Sequence, residues 1–96
     1  MSRPTPLHLL RLAQGSPGQW LTLPGAALRV VAVAGPVRGA GGSLLCLSGE
    51  AVVDLPDRSF VRLQAGEAQQ IGGAWQATAL AAGTTLLLAP DGDRES

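Results

Sequence analysis

Several residue types are missing or rare in this chain of 96 residues, and each absence excludes a class of function. It has no lysine or tyrosine and a single histidine, so several of the side chains that most often transfer protons in enzymes are missing or rare. Asparagine is missing as well. Its one cysteine excludes an internal disulfide and agrees with a cytoplasmic protein. No apolar run approaches the roughly 20 residues that span a bilayer, and residues 1–6 do not resemble a signal peptide, so we expect no contact with membranes.

Charge is sparse and balanced along the chain. The chain has seven arginines and seven acidic residues, which gives a formal net charge of zero. No basic run or stripe is present, so we expect no binding to nucleic acid. The use of arginine without any lysine is typical of a GC-rich genome and indicates a bacterial source.

The pattern of short apolar segments predicts an all-β fold. Thirteen glycines and seven prolines interrupt the chain at short intervals, as turns do between strands. Predicted strands cover residues 20–23, 28–33, 44–47, 50–55, 60–63, 68–71, 75–80 and 84–89. Residues 7–13 are predicted as a further strand, although the spacing of Leu9, Leu12 and Ala13 also suits a short helix.

The segments between these strands are predicted as turns and loops. Residues 35–42, with four glycines in eight positions, are predicted as a loop. Turns are predicted at residues 56–59, 65–67 and 72–73. Residues 1–90 are predicted to form one domain, followed by a flexible C-terminal tail over residues 91–96.

Two of the apolar strands break at a Gly-Glu pair. The first motif is Cys46-Leu47-Ser48-Gly49-Glu50, and the second is Leu63-Gln64-Ala65-Gly66-Glu67. This arrangement resembles the cupin family over residues 44–89. The resemblance implies a small jelly roll or β-barrel of about eight to nine short antiparallel strands. Gly49 and Gly66 are predicted to be structural turn glycines.

The resemblance also implies where metal ligands would lie in a cupin. Two histidines would fall within residues 35–38, a glutamate at the position of Gly42, and a last histidine at or near Ala77. None of these positions holds a metal-binding side chain here. We therefore expect no bound metal and no cofactor.

Three residues near these positions are the candidates for a ligand pocket. Arg38 lies in the glycine-rich segment and could bind an anion. Trp75 and Gln76 stand next to the position of the family's last histidine and could line a pocket. Trp75 could equally pack in the core or in a dimer interface.

Four further residues were weighed as catalytic groups, and none is predicted to be one. Cys46 lies in an apolar run and is predicted to be a buried, inert side chain, since as a nucleophile it would need His8 as its base. Glu50 and Glu67 follow turn glycines and are predicted to face water, whereas acid–base catalysis would need them to converge.

The sequence favours a metal-free cupin-like module that binds a small molecule or a protein partner. The alternatives are a small metal-independent isomerase or lyase that uses the barrel interior, and a structural subunit of a larger assembly. The scarcity of proton-transfer groups argues against an enzyme. A homodimer is predicted because residues 28–33 and 86–88 are apolar on both faces of their strands.

Overall fold

The structure, a computed structural model, describes residues 9–23 and 27–90. His8 and the predicted tail over residues 91–96 lie outside the described residues. The elements are α1 (Leu9–Gln14), β1 (Leu21–Thr22), β2 (Arg29–Ala32), β3 (Val37–Ser48), β4 (Glu50–Asp54), β5 (Phe60–Gln64), β6 (Ala68–Ala79) and β7 (Thr85–Ala89). Within the part of the chain that the structure describes, no helix has the length and apolar character to cross a membrane.

The seven strands form one sheet in the order β1-β2-β7-β3-β6-β4-β5. Every neighbouring pair is antiparallel. The all-β prediction is therefore confirmed. The sheet is open among the described residues, with β1 and β5 at its two edges, so it does not close into a barrel by strand pairing.

Two strands are much longer than predicted, because glycine segments continue them. The predicted loop at residues 35–42 is wrong, since residues 37–42 belong to β3, and the predicted turn at 72–73 is wrong, since it lies within β6. Between Ala40 and Gly42 the register shifts, and Gly42 has a φ of 97°. Glycine permits such a bulge without ending the strand. The described strands consequently number seven rather than eight to nine.

The N-terminal segment is a helix where a strand was predicted. Residues 9–14 form α1, so the strand prediction for residues 7–13 is wrong over 9–13, and residues 7–8 are not described. Ala13 is fully buried. A seven-residue segment is too short for periodicity to decide between the two, and packing of α1 onto β2 selects the helix.

The main core lies on the inner side of the sheet. Residues from β2 through β7 contact one another there, so the sheet must curl around them. This core consists of Val31, Val37, Leu44, Cys46, Ala51, Val53, Leu63, Ile71, Trp75, Ala77, Leu86 and Leu88. Val61 and Leu55 pack against its margin.

The outer side of the sheet differs between its two halves. At the β2–β7 end, Ala13 of α1 and the buried residues Leu23, Val30 and Ala32 form a second cluster, which Leu87 joins. At the other end, the outward side chains of β3, β6, β4 and β5 form what we call the open face, defined by Arg38, Gln76, Asp54, Phe60 and Arg62. Phe60 is 65% exposed there.

Candidate functional site

Two of the three predicted pocket residues meet on the open face. Arg38 of β3 lies directly opposite Gln76 of β6. The Arg38 Nε donates a hydrogen bond of 3.1 Å to the Gln76 Oε1. The other guanidinium nitrogens of Arg38 make no hydrogen bond to the residues that the structure describes. Arg38 therefore presents free donors at the surface.

The third candidate, Trp75, points to the opposite side and lies in the core. It is 3% exposed, and its ring meets Trp20 edge-on, with ring centroids 6.1 Å apart. Its Nε1 donates a long hydrogen bond of 3.4 Å to the Gly41 carbonyl oxygen. A Cβ on Gly39, the cross-strand partner of Trp75, would lie 2.7 Å from the Trp75 Cε2. The indole therefore covers a position that only glycine can occupy.

A shallow depression of 290 Å³ lies beside Arg38. It is lined by Arg38, Asp54, Leu55, Ala74, Trp75 and Gln76. A second depression of 380 Å³ lies between the β4–β5 turn and the middle of β6, and Leu55 lines both. Both are open to solvent, so they suit a surface contact better than an enclosed reaction.

Sequence reasoning missed Asp54, which completes a row across the open face. Asp54 of β4 lies opposite Gln76 on one side and opposite Phe60 on the other. The alternation of β4, in which Ala51 and Val53 are buried and Asp54 is exposed, was visible in the sequence. The neighbours of Asp54 in the sheet, Gln76 and Phe60, could not be read from the sequence, because they depend on the register of β4 with β6 and β5.

The positions that the resemblance gives to metal ligands, residues 35–38, Gly42 and Ala77, hold no carboxylate, imidazole or thiol group. Val37 and Ala77 lie directly opposite each other in the β3–β6 pair and are 6% and 0% exposed. At Gly42 a Cβ would lie 2.7 Å from the carbonyl oxygen of Ala89, which leaves little room for a longer side chain. In residues 9–23 and 27–90 no three His, Cys, Asp or Glu side chains cluster as metal ligands. The residues present do not fit a metal ion.

Cys46 is fully buried, which confirms that part of its prediction. Its Sγ donates hydrogen bonds to the carbonyl oxygens of Ser48 at 3.3 Å and of Gly49 at 3.7 Å. Burial raises the pKa of the Cys46 thiol above its ordinary value of 9.0; the bond to Ser48 lowers it, and the charges of Glu67 and Glu50 raise it further. The raised pKa favours the neutral thiol over the thiolate at physiological pH.

The two glutamates of the Gly-Glu motifs each have a separate structural partner. The Arg62 Nε donates to a carboxylate oxygen of Glu50 at 2.8 Å, on the open face. The backbone N–H of Gln64 donates to the Glu67 Oε1 at 2.7 Å, within the turn that follows β5. Each carboxylate is thus engaged in a structural contact of its own.

Several solved structures share this fold. A cupin-2 domain containing protein from Shewanella frigidimarina matches with a TM-score of 0.60 and 17% identity, covering 79% of this chain and 83% of that one. A protein from Neisseria meningitidis matches with a TM-score of 0.63 and 13% identity, covering 91% and 100%. A protein of unknown function from Rhizobium leguminosarum matches with a TM-score of 0.59 and 18% identity, covering 95% and 99%.

At these identities the likeness concerns the fold alone. No protein-family model and no curated protein matches the chain. The architecture nevertheless agrees with the two Gly-Glu motifs on which the resemblance was based, and the prediction of the fold is confirmed. This chain has a cupin-like fold, in an open antiparallel sheet of seven described strands.

Proposed function

We propose that this chain is a metal-independent binding module that works as a homodimer in a bacterial cytoplasm and makes its contacts through the open face. The setting is supported by the single cysteine and the exclusive use of arginine as the strong base. Neither a catalytic residue nor a cofactor is part of this proposal. Residues 1–90 are its single domain.

The packing of Trp75 carries the proposal. Its indole lies in the same core cluster as Val37, which belongs to the segment 35–38, and Ala77; the resemblance implies metal ligands within that segment and at or near Ala77. Trp20 packs against it from the side. The interior is thus a core of the protein's own side chains, and a reaction chamber in that place would have to expel them. Binding is left to the outside of the sheet.

The sequence suggested a dimer contact through residues 28–33 and 86–88, but the proposed homodimer uses a different surface. The apolar outer residues of β2 were the reason to expect a second copy, but Val30 is fully buried within one chain, in the cluster that α1 covers. That surface is therefore already used. The open face, where Phe60 is 65% exposed, is the better candidate for contact with a second copy.

A second candidate function is the binding of a small anion at Arg38. The observation in its favour is that the guanidinium group keeps free donors beside the 290 Å³ depression. A carboxylate would form the two parallel hydrogen bonds that arginine geometry favours. The other alternative, a purely structural subunit, would need the same face for a different partner. An enzyme that uses the interior is disfavoured by the packed core.

Amide NMR spectra test whether the open face is the contact surface. One series raises the protein concentration, and a second adds sodium acetate at fixed protein concentration. We expect the shifts to concentrate at Arg38, Gln76 and Asp54 in at least one series. Shifts confined to Val37 and Ala77 would instead indicate a binding site in the interior, and the proposal would be wrong.

Elemental analysis tests the metal-independent part. Purified protein that has been dialysed against a chelator is expected to carry no stoichiometric transition metal, because the implied ligand positions offer no donor. Zinc, iron, manganese or nickel near one equivalent per chain would contradict this expectation.

A further inference from the structure

One row of side chains on the open face changes charge across three adjacent strands. Arg38 of β3 lies opposite Gln76 of β6, and Gln76 lies opposite Asp54 of β4. The row therefore reads positive, neutral, negative. Neighbouring strands lie about 4.8 Å apart, so the backbone positions of the two charged residues are about 10 Å apart.

The charged ends of this row have no opposite charge to pair with in the described chain. The Arg38 side chain makes its hydrogen bond to the neutral Gln76, and the Asp54 carboxylate makes no hydrogen bond or ion pair with residues 9–23 or 27–90. The ion pair that does form on this face joins Arg62 to Glu50. One positive and one negative group are thus left exposed at a fixed spacing.

This pattern is complementary to itself under one particular rotation. A two-fold axis that lies in the plane of the face and runs along β6 exchanges the two ends of the row. It places Arg38 of one copy over Asp54 of the other, and Asp54 over Arg38. Gln76 then meets Gln76 of the second copy, where each primary amide can both donate and accept. An in-plane axis across the strands would instead place like charges together.

We propose that the open face is the interface of an isologous homodimer whose two-fold axis runs along β6 and which is held by two reciprocal Arg38–Asp54 ion pairs. This inference rests on the proposed function, which makes the open face the contact surface. An isologous interface uses every pair twice, so a single substitution removes both pairs at once. Exposed Phe60, at the end of the same row, adds apolar area beside Asp54.

The size of the face indicates a weak and reversible dimer. Four strands of about five residues cover roughly 19 by 17 Å, or about 320 Å² in projection. Stable complexes bury about 800 Å² on each partner, so this interface belongs with the weak, transient ones. Its ion pairs are near the surface and are screened by salt, so we expect the dimer to weaken as ionic strength rises.

Charge reversal tests the arrangement. Sedimentation equilibrium compares wild type with R38D and with D54R at about 20 µM to 2 mM protein, the range in which a weak interface associates. Each variant places like charges together twice, and we expect its dimerisation constant to weaken at least tenfold. R29D is the matched control, because Arg29 is an exposed arginine at the far end of the sheet on β2. It should dimerise like wild type.

Mixing the two variants supplies the decisive result. In a 1:1 mixture the new carboxylate at position 38 faces the new guanidinium at position 54, while the native Asp54 faces the native Arg38. Two chains that are monomeric alone should therefore form a heterodimer, and its affinity should approach that of wild type. Circular dichroism spectra identical to wild type show that both variants are folded.

The outcomes separate the ion pairs from the homodimer that the proposed function already contains. Wild type that stays monomeric up to the highest concentration overturns the homodimer in both proposals, whereas wild type that dimerises and a mixture that gains no mass overturn the Arg38–Asp54 pairing alone. If acetate still shifts the amides of Arg38 and Gln76 in such a monomer, the open face remains the contact surface and its occupant is a small anion. If neither occurs, both proposals are wrong.

Discussion

The two turns share a Gly-Glu pair but lie in different surroundings. Gly49 has a φ of 76° and Gly66 a φ of 90°, both in the region that glycine tolerates best. A Cβ added to Gly49 would overlap Thr84 and come within 2.7 Å of its Cα. A Cβ added to Gly66 would meet nothing within 4 Å. The first turn thus needs glycine for space and conformation, and the second for conformation alone.

The first turn is closed by a hydrogen-bonded cluster around Thr84. The Thr84 Oγ1 donates to the carbonyl oxygen of Ala81 at 2.7 Å and accepts from the Glu50 N–H at 3.2 Å. Ser48 Oγ donates to the carbonyl oxygen of Gly83 at 2.7 Å. The turn after β3 is therefore attached to the turn before β7, and Thr84 is only 1% exposed.

The second turn is attached to β3 through backbone groups only. The Gly66 N–H donates to the Cys46 carbonyl oxygen at 2.8 Å, and the Cys46 N–H donates to the Glu67 carbonyl oxygen at 2.9 Å. Cys46 thus has its backbone bound by the second turn, while its thiol points toward the first, at the Ser48 carbonyl oxygen. The same Gly-Glu pair thus occurs in a tightly packed turn at Gly49 and in an open turn at Gly66. Only the turn at Gly49 should exclude every side chain larger than that of glycine.

The substitution Gly49→Ala has the largest expected effect. The strained φ costs about 1–2 kcal/mol for a residue with a Cβ, and the overlap with Thr84 adds about 1–3 kcal/mol. Urea unfolding should therefore show a loss of roughly 2–5 kcal/mol, or no folded protein. A loss no larger than that of Gly66→Ala would show that the two turns are equivalent after all.

Thr84→Val should cost less, because the shape is kept and only hydrogen bonds are lost. The Glu50 N–H and the Ala81 carbonyl oxygen would lose their buried hydrogen-bond partner, which costs about 1–3 kcal/mol. The matched control is Thr85→Val, since Thr85 is equally buried but its Oγ1 has no hydrogen-bond partner among the described residues. Thr85→Val should leave stability unchanged or raise it. Equal losses for both variants would contradict the role assigned to Thr84.

Gly66→Ala is expected to have a smaller effect than Gly49→Ala. The new methyl group meets open space, so only the backbone conformation is penalised, by about 1–2 kcal/mol. Gly66→Asn is the matched control, because asparagine tolerates positive φ better than alanine and should recover part of the loss. If alanine and asparagine destabilise the protein equally, conformation is not the reason for glycine here.

The Cys46 thiol should give the smallest effect, and one that depends on pH. Folding raises the pKa of the Cys46 thiol above its ordinary value of 9.0. The thiol's contribution to the free energy of unfolding is therefore fully present below pH 9.0 and is lost as the pH rises above it. Above pH 9.0, the unfolding free energy of wild type should fall more steeply with pH than that of Cys46→Ala. A thiol reagent should label the native protein slowly at neutral pH. Rapid labelling would show that the side chain between the two turns is accessible.

Local patterns in the sequence were sufficient for the features that depend on nearby residues. The turn at 56–59 is confirmed, since residues 56–58 turn and Asp57 Oδ1 accepts a hydrogen bond of 3.0 Å from the Ser59 N–H. Both Gly-Glu motifs lie at strand ends, with φ values that suit glycine. Turn residues act over three or four positions, so their meaning can be read without knowledge of the fold.

Features that depend on distant residues could not be predicted. The glycines of residues 39–42 suggested a loop, but Gly39 is in a strand because Trp75 packs over it from 36 positions away. The partner of Gly49 is Thr84, and the row on the open face needs the register of β3, β6 and β4. Such pairings follow from sheet register, which is set by the whole fold.

The placement of β3 has a consequence for how the chain folds. In the sheet, β3 pairs with β6 and β7. It does not pair with β2 or β4, the strands directly before and after it in the sequence. It therefore cannot begin as a hairpin, as β4 and β5 can, and must wait for residues that lie 23 to 46 positions later in the chain. During synthesis its apolar residues 44–46 lack their strand partners until β6 and then β7 have been made. We expect slow folding and a nascent chain that depends on protection from aggregation over this interval.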